Sequence, residues 1–146
     1  MGTQQILLIV LSVIIVGVAV VVGIMMFNNQ AYNANKQAVA SELTTYGSLV
    51  VQWWKTPTSQ GGAGQDATNM VQADIAAYIG FNGANYSLTN TDTGEFRLTA
   101  ATAADSTVTL VGLGKDTKAG LHPKVTTIVS LPDGTMNATA IDAATF

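Results

Sequence analysis

The sequence predicts an α+β protein in which one long N-terminal helix, apolar and then amphipathic, packs on a small C-terminal antiparallel β-sheet. Three observations lead to this fold class: an uncharged apolar run, a helical stripe that continues it without proline, and a series of short alternating segments separated by turn residues. We therefore expect three parts in the 146 residues: the helix in 1–55, a glycine-rich loop with a short helix in 56–83, and the antiparallel β-domain in 84–146.

The uncharged apolar run is Ile6–Phe27. As a helix its 22 residues would span roughly 33 Å, which is enough to cross the hydrocarbon core of a membrane. Its many β-branched residues favour strands in water. In lipid, however, a single segment can pair its backbone N–H and C=O groups only as a helix. A secretory signal peptide fits poorly, because its apolar region is about 7–15 residues long and follows basic residues, which Met1–Gln5 lacks.

Small residues lie within this run. Gly17 and Gly23 are costly in a soluble helix but common in membrane helices. Ala19 and Gly23 form a small-xxx-small pair that would let a second helix approach closely. Small residues that face lipid are an equally good interpretation of the same pattern.

The helix is expected to continue to residue 55, because 28–55 contains no proline and only one glycine. Five apolar residues at spacings of 4, 3, 4 and 3 form one stripe: Val39, Leu43, Tyr46, Val50 and Trp53. The opposite face carries Asn35, Gln37, Ser41, Thr44, Thr45 and Gln52. Pro57 and the glycine-rich segment 56–65 end the helix, which would be on the order of 80 Å long.

A short helix is predicted within 66–79. Asp66 or Thr68 would be its N-cap, and Gly80 would end it. Its buried face would consist of Val71, Ile75 and Tyr78.

Five segments of the β-domain alternate apolar and polar residues or carry β-branched residues. Turn residues such as 91–94 and 132–134 separate them. Short strands in succession favour an antiparallel meander, with Tyr86 and Leu88 on one side of the first strand. One face of that sheet needs cover, and the stripe on 39–53 is the nearest partner, with Trp54 beside it. Neighbouring chains are the competing partner for the stripe. The predicted strands are 84–90, 95–101, 106–112, 124–131 and 135–141.

Composition argues against several functions. Charged residues make up only 10% of the chain, the net charge is −3, and no basic cluster is present, so nucleic-acid binding has no electrostatic basis. The chain has no cysteine and one histidine, His122, which is expected in a solvated loop. No Ser-His-acid set, phosphate-binding loop or dinucleotide glycine pattern is present. We expect no enzyme activity, no cofactor, no metal and no small-molecule substrate.

Several weaker patterns have simpler interpretations. A calcium site built from Asp92, Glu95, Asp116 and Asp133 is conceivable, but aspartates near turns are usually turn-formers. Gly112–Gly114 lacks the third glycine of a nucleotide-binding motif and is expected to be a loop. Asn85 and Asn137 each begin a match to the N-glycosylation pattern, and chance matches are expected where asparagine and threonine are frequent.

An uncharged helix with an amphipathic continuation, a glycine-rich loop and an antiparallel sheet resembles the architecture of type IV pilins and their pseudopilin relatives. The resemblance covers the whole chain as architecture. Two family motifs are not matched. Met1–Gln5 contains no basic residue, unlike the family's leader. The position of the family's glutamate is occupied by Gln5 if Met1 is counted as the first mature residue, and by Leu7 if Gly2 ends a leader.

The resemblance implies a structural subunit of an extracellular filament, built from identical copies at the cell surface and drawn from precursors inserted in the inner membrane. The competing hypothesis is a single-pass membrane anchor that carries an extracytoplasmic binding domain. A secretion-system pseudopilin is a further alternative. The implied assembly interface consists of Ile6, Leu7, Leu8, Leu11, Ile14, Ile15, Gly17, Ala19, Val20, Gly23, Ile24 and Phe27.

Overall fold

The computed structural model describes residues 2–146, and its first element is one continuous helix, α1 (Gly2–Lys55). Its 54 residues correspond to a rod about 80 Å long. The prediction of an unbroken helix is confirmed. Gly17 and Gly23 in its apolar half do not interrupt it. Lys55 in the last turn interacts favourably with the negative end of the helix dipole.

The two halves of α1 have different surroundings. Every residue from 2 to 30 is exposed, whereas the second half buries one face on the sheet. Val39, Leu43 and Val50 are completely buried, so the predicted stripe is confirmed. The half-buried Tyr46 ring lies 5.0 Å from the Phe81 ring and 5.3 Å from the Phe96 ring, between centroids. The buried residues of α1 are Tyr32, Asn35, Val39, Leu43, Gly47, Val50, Trp53 and Trp54.

Asn35 does not lie on the exposed face of α1, as the sequence had suggested. It is spaced four residues before Val39, so it lies on the buried side, where it is 8% exposed. Its Nδ2 donates to the carbonyl oxygen of Thr93 at 2.9 Å, and its Oδ1 accepts from the backbone N–H of Asp116 at 3.3 Å. These two bonds satisfy the buried amide and attach two loops of the sheet to the helix.

The glycine-rich segment folds back on the end of α1. It contains two 3₁₀ turns, Thr58–Gln60 and Ala67–Asn69, followed by α2 (Gln72–Ile79). The backbone N–H of Ala63 donates to the Trp53 carbonyl at 3.2 Å, and that of Gln65 to the Trp54 carbonyl at 2.9 Å. These bonds give partners in the loop to carbonyls of the last helical turn, so the loop is held on the helix terminus.

The predicted buried face of the short helix is wrong at two of its three positions. α2 begins only at Gln72, and Val71 is its N-cap and is 48% exposed. Tyr78 is 38% exposed, whereas the buried residues are Ile75, Ala76 and Ile79. The cap at Asp66 belongs to the preceding 3₁₀ turn, and Gly80 ends α2 in the left-handed conformation (φ 85°), as predicted.

The remaining chain is a five-stranded antiparallel meander in the order β1-β2-β3-β4-β5, which confirms the predicted topology. One side of the sheet packs on α1, and its core there includes Phe96, Leu98, Leu110 and Val125. The strands are β1 (Ser87–Asn90), β2 (Gly94–Thr102), β3 (Thr107–Gly114), β4 (His122–Ser130) and β5 (Thr135–Ala143).

Three local predictions about the sheet are corrected. The first strand begins later than expected, because Asn85 and Tyr86 have positive φ angles of 59° and 51° that no strand accommodates. Gly112–Gly114 ends β3 rather than forming a loop. His122 begins β4, where it is half-buried and its Nδ1 lies 2.7 Å from the Gly114 carbonyl oxygen.

Glycines on both surfaces allow α1 to lie close to the sheet. A Cβ at Gly112 would lie 2.6 Å from Val39 Cγ1, and one at Gly114 would collide with the Asn35 amide oxygen. On the helix, a Cβ at Gly47 would lie 2.8 Å from Met136 Sδ. Gly112 and Gly114 are therefore required by packing against the helix, which the spacing of the glycines alone did not reveal.

Replacing Gly112 with alanine should lower the free energy of unfolding of the sheet domain by about 1–3 kcal/mol, because the added methyl group overpacks the Val39 contact. The measurement is urea unfolding of the full chain in detergent micelles, followed by tryptophan fluorescence. Gly17→Ala is the matched control, since a Cβ there meets nothing within 4 Å and should leave the transition unchanged. Equal transitions for both variants would contradict the packing role of Gly112.

Candidate functional site

The predicted interface residues all lie on the exposed half of α1. Their large side chains are between 50% exposed at Leu11 and 71% exposed at Phe27. A Cβ at Gly17 or Gly23 would meet nothing within 4 Å in the single chain. No residue between 2 and 30 is buried by the sheet domain, so this surface has no cover from the part of its own chain that the structure describes.

The exposed half is apolar on every side of the helix rather than along one stripe. Successive residues such as Ile6, Leu7 and Leu8 are each more than 60% exposed, although they point in directions about 100° apart. The one hydroxyl inside the run, Ser12 Oγ, donates to the Ile9 carbonyl at 2.7 Å and is therefore satisfied within the helix. A helix that is apolar all round requires an apolar environment on all sides, from lipid or from several neighbouring helices.

Among residues 2–146, α1 is the one helix long and apolar enough to cross a membrane. The mean hydropathy of its most apolar 18-residue window is 3.3, and none of that window is buried. At about 25 cal/mol per Å² of apolar surface, burial of such a window is worth tens of kcal/mol relative to water. A monomer that exposes this helix to water is therefore strongly disfavoured.

A polar cluster lies at the boundary between the exposed half of α1 and the half that packs on the sheet. The Tyr32 hydroxyl donates to an Asp142 carboxylate oxygen at 2.6 Å, and Lys36 Nζ lies 3.6 Å from the same oxygen. Because Asp142 is near the end of β5 and Tyr32 is the first buried residue of α1, this contact attaches the helix to the edge of the sheet where the helix emerges. We call Tyr32, Lys36 and Asp142 the basal clamp.

The basal clamp shifts two pKa values. Burial, with a smaller contribution from the bonded Asp142 carboxylate, raises the pKa of Tyr32 to about 12. The hydrogen bond from Tyr32, with a smaller contribution from Lys36, lowers the pKa of Asp142 below its usual value of 3.8. The clamp is therefore intact when Tyr32 is protonated and Asp142 is ionised, which is the state at neutral pH.

Replacing Tyr32 with phenylalanine should change how stability depends on pH. A raised folded-state pKa means that the Tyr32 contribution is complete below pH 10, the unfolded value, and is lost as the pH rises toward 12. Ionised Asp142 contributes to stability above pH 3.8, and this contribution is lost as the pH falls below that value.

We expect Tyr32→Phe to be less stable than the original chain at pH 7. Its stability should also decline less steeply between pH 10 and 12, measured by urea unfolding across pH. Tyr78→Phe, at an exposed site, is the control, and an unchanged alkaline profile in Tyr32→Phe would contradict the clamp.

Groups for catalysis or metal binding are not assembled in the described structure. No group of three His, Asp or Glu side chains in residues 2–146 has the geometry to hold a metal ion, and the four carboxylates considered for calcium do not converge. An open groove of about 650 Å³ lies between the glycine-rich loop and α2, and its one charged lining side chain is Asp74. Nothing in its lining forms a nucleophile–base pair.

Comparisons with protein-family models, with curated proteins and with solved structures find no match for this chain. The architecture itself, a long N-terminal helix on a small antiparallel sheet, resembles that of the type IV pilins.

Proposed function

We propose that this chain is a structural subunit of a type IV pilus-like filament at the cell surface. The observation that carries the proposal is the uncovered, uniformly apolar half of α1, joined without a break to a half that packs on the sheet domain. One rigid rod thus connects a surface that must be covered by other molecules to a folded domain with a polar exterior. This arrangement suits a filament with apolar helices at its centre and sheet domains at its surface.

In this proposal each subunit waits in the inner membrane with the apolar run in lipid and the sheet domain outside the cytoplasm. Assembly exchanges lipid for the helices of identical copies. The contact is heterologous and does not close, so it generates a filament rather than a ring. The subunit requires no cofactor, nucleic acid or small-molecule substrate, and it is not an enzyme.

The second candidate is a single-pass membrane anchor with an extracytoplasmic binding domain. The length of the apolar run supports it, since roughly 33 Å matches one hydrocarbon core. The continuity of α1 favours the filament, because an anchor needs no stiff connection between membrane and domain, whereas a helical lattice requires each domain to be held in a fixed position relative to the core. A secretion-system pseudopilin would share this assembly mechanism.

The test is electron microscopy of surface material from cells that produce the full chain, combined with mass spectrometry of the subunit in that material. Filaments composed of this chain are the expected result. Removal of detergent from purified full-length chain should also produce filaments. If the native protein is always membrane-bound and monomeric, and no fibres form from the purified chain, the filament proposal is wrong and the anchor is favoured.

A further inference from the structure

The connection between β3 and β4 forms a short, fixed turn beside the exposed half of α1. The backbone N–H of Lys118 donates to the Leu121 carbonyl at 2.9 Å, and that of Leu121 to the Lys118 carbonyl at 3.0 Å. Ala119 and Gly120, with φ angles of 53° and 80°, form the two-residue tip. We call residues 117–121 the basal hairpin.

The basal hairpin lies at the level where the apolar run ends. Thr117, Lys118 and Ala119 line one side of a cavity of about 340 Å³, and the other side is lined by Met25, Asn28 and Asn29 of α1. Phe27, the last residue of the apolar run, falls inside this stretch. Tyr32, the first buried residue of α1, lies seven positions after Met25, so the cavity between the hairpin and the helix reaches up to about 10 Å before Tyr32 along the helix.

The side chains of the basal hairpin combine an exposed positive charge with an apolar group. Lys118 is exposed, and no carboxylate in residues 2–146 lies within 4.0 Å of its ammonium group. The nearby Asp142 is bound by Tyr32 and Lys36, and the charge of Lys118 makes the smallest of the contributions that lower the pKa of Asp142. Lys115 donates to the Thr91 carbonyl at 3.1 Å. Leu121 is 38% exposed. A cation beside an exposed leucine suits the boundary between lipid phosphates and acyl chains.

With Ile6–Phe27 across a bilayer, Asn28 and Asn29 would lie in the headgroup layer, which is about 5–7 Å thick in each leaflet. The basal hairpin would lie in the same layer, on one side of the helix. We propose that the basal hairpin docks on the phosphate-bearing surface of an anionic bilayer while α1 is inserted, with Lys118 on lipid phosphates and Leu121 at the acyl boundary. This inference rests on the membrane stage of the proposed function.

Docking would restrict the tilt of the membrane-held subunit. A single inserted helix can tilt toward any of its own faces. A second contact on one side, attached to α1 through the basal clamp and the Asn35 bonds, would favour tilt toward the face of α1 that carries the hairpin.

The experiment uses single cysteines, because the chain has none of its own. Spin labels are placed on full-length Thr117→Cys, on Asp133→Cys in the turn at the opposite end of the sheet, and on Val16→Cys in the apolar run. The proteins are reconstituted in vesicles of phosphatidylcholine with phosphatidylglycerol. Collisions with a water-soluble nickel complex and with oxygen then report the depth of each label. We expect interfacial depth at 117, bulk water at 133 and the hydrocarbon core at 16.

The charge dependence is tested in the Thr117→Cys background. Lys118→Gln should lower the ratio of docked to undocked hairpin about fivefold in anionic vesicles, which is the usual effect of one lysine near such a surface. In vesicles of phosphatidylcholine alone, Lys118→Gln should change this ratio less. Lys55→Gln, at the far end of α1, is the matched control and should leave the ratio unchanged.

The outcomes separate this inference from the proposed function. A label at 16 in the hydrocarbon core with a label at 117 in bulk water would overturn the docking of the hairpin and leave the membrane stage intact. A label at 16 outside the bilayer would instead show that the membrane stage itself is wrong. Protection of the label at 117 only in assembled filaments would assign the hairpin to a contact between subunits and would also overturn the inference.

Discussion

Replacing Val20 with lysine should abolish filament formation by the full-length chain while the sheet domain stays folded. Val20 is 56% exposed in the single chain and lies 12 residues before Tyr32, so the substitution does not reach the folded core. In a bundle of apolar helices the new ammonium group would have no partner, and burial of an unpaired charge costs several kcal/mol or more in every subunit. The measurement is negative-stain electron microscopy after removal of detergent.

Two controls belong to this experiment. Val20→Leu keeps the apolar character and should form filaments, and Gln52→Lys adds the same charge at an exposed position near the other end of α1 and should also form them. Val16→Lys should behave as Val20→Lys does. Filaments of normal number and length from Val20→Lys would show that this part of the helix is not buried in the assembly.

Replacing Trp53 with alanine should destabilise the sheet domain by about 3–5 kcal/mol, the usual cost of deleting a large buried aromatic ring. Trp53 is 1% exposed, and its Nε1 donates to the Gly61 carbonyl at 3.0 Å. The substitution therefore leaves a cavity and also an unpaired carbonyl in the glycine-rich loop. Urea unfolding in detergent micelles, followed by the fluorescence of the remaining Trp54, measures the change.

Gln52→Ala, one residue earlier on the exposed face, is the matched control and should change the free energy of unfolding by less than about 0.5 kcal/mol. Trp53→Phe should fall between the two, since it keeps part of the ring volume and loses the hydrogen bond. A loss below about 0.5 kcal/mol in Trp53→Ala would show that the ring does not contribute to the core.

Local periodicity controls the features of the fold that the sequence predicts correctly. The stripe from Val39 to Trp53 indicated both the continuation of α1 and the face that the sheet covers, because buried residues on a helix must recur every three to four positions. The strands were located by alternation and by turns such as Pro132–Gly134, where Gly134 has a φ of 69°. The prediction failed at the ends of elements, as at Val71 and Tyr86, where one or two residues decide the backbone conformation.

The candidate interface stays a prediction from the sequence, based on the length and the lack of charge of the run Ile6–Phe27. The structure adds that this run is uncovered on all sides. The basal hairpin and the basal clamp were missed. The turn signal at Ala119–Gly120 was present in the sequence, but nothing in the order of residues placed it beside Met25.

The sequence by itself determined the long helix, its division into an apolar and an amphipathic half, and the antiparallel meander, because each depends on spacing between near neighbours in the chain. Only the tertiary structure decided which groups meet across the fold. Tyr32 and Asp142 are 110 positions apart, and Gly112 is required by a Val39 methyl group on another element. Such contacts depend on how closely the helix lies on the sheet and on the register between them. Side-chain packing over the whole interface sets both, and no local pattern records them.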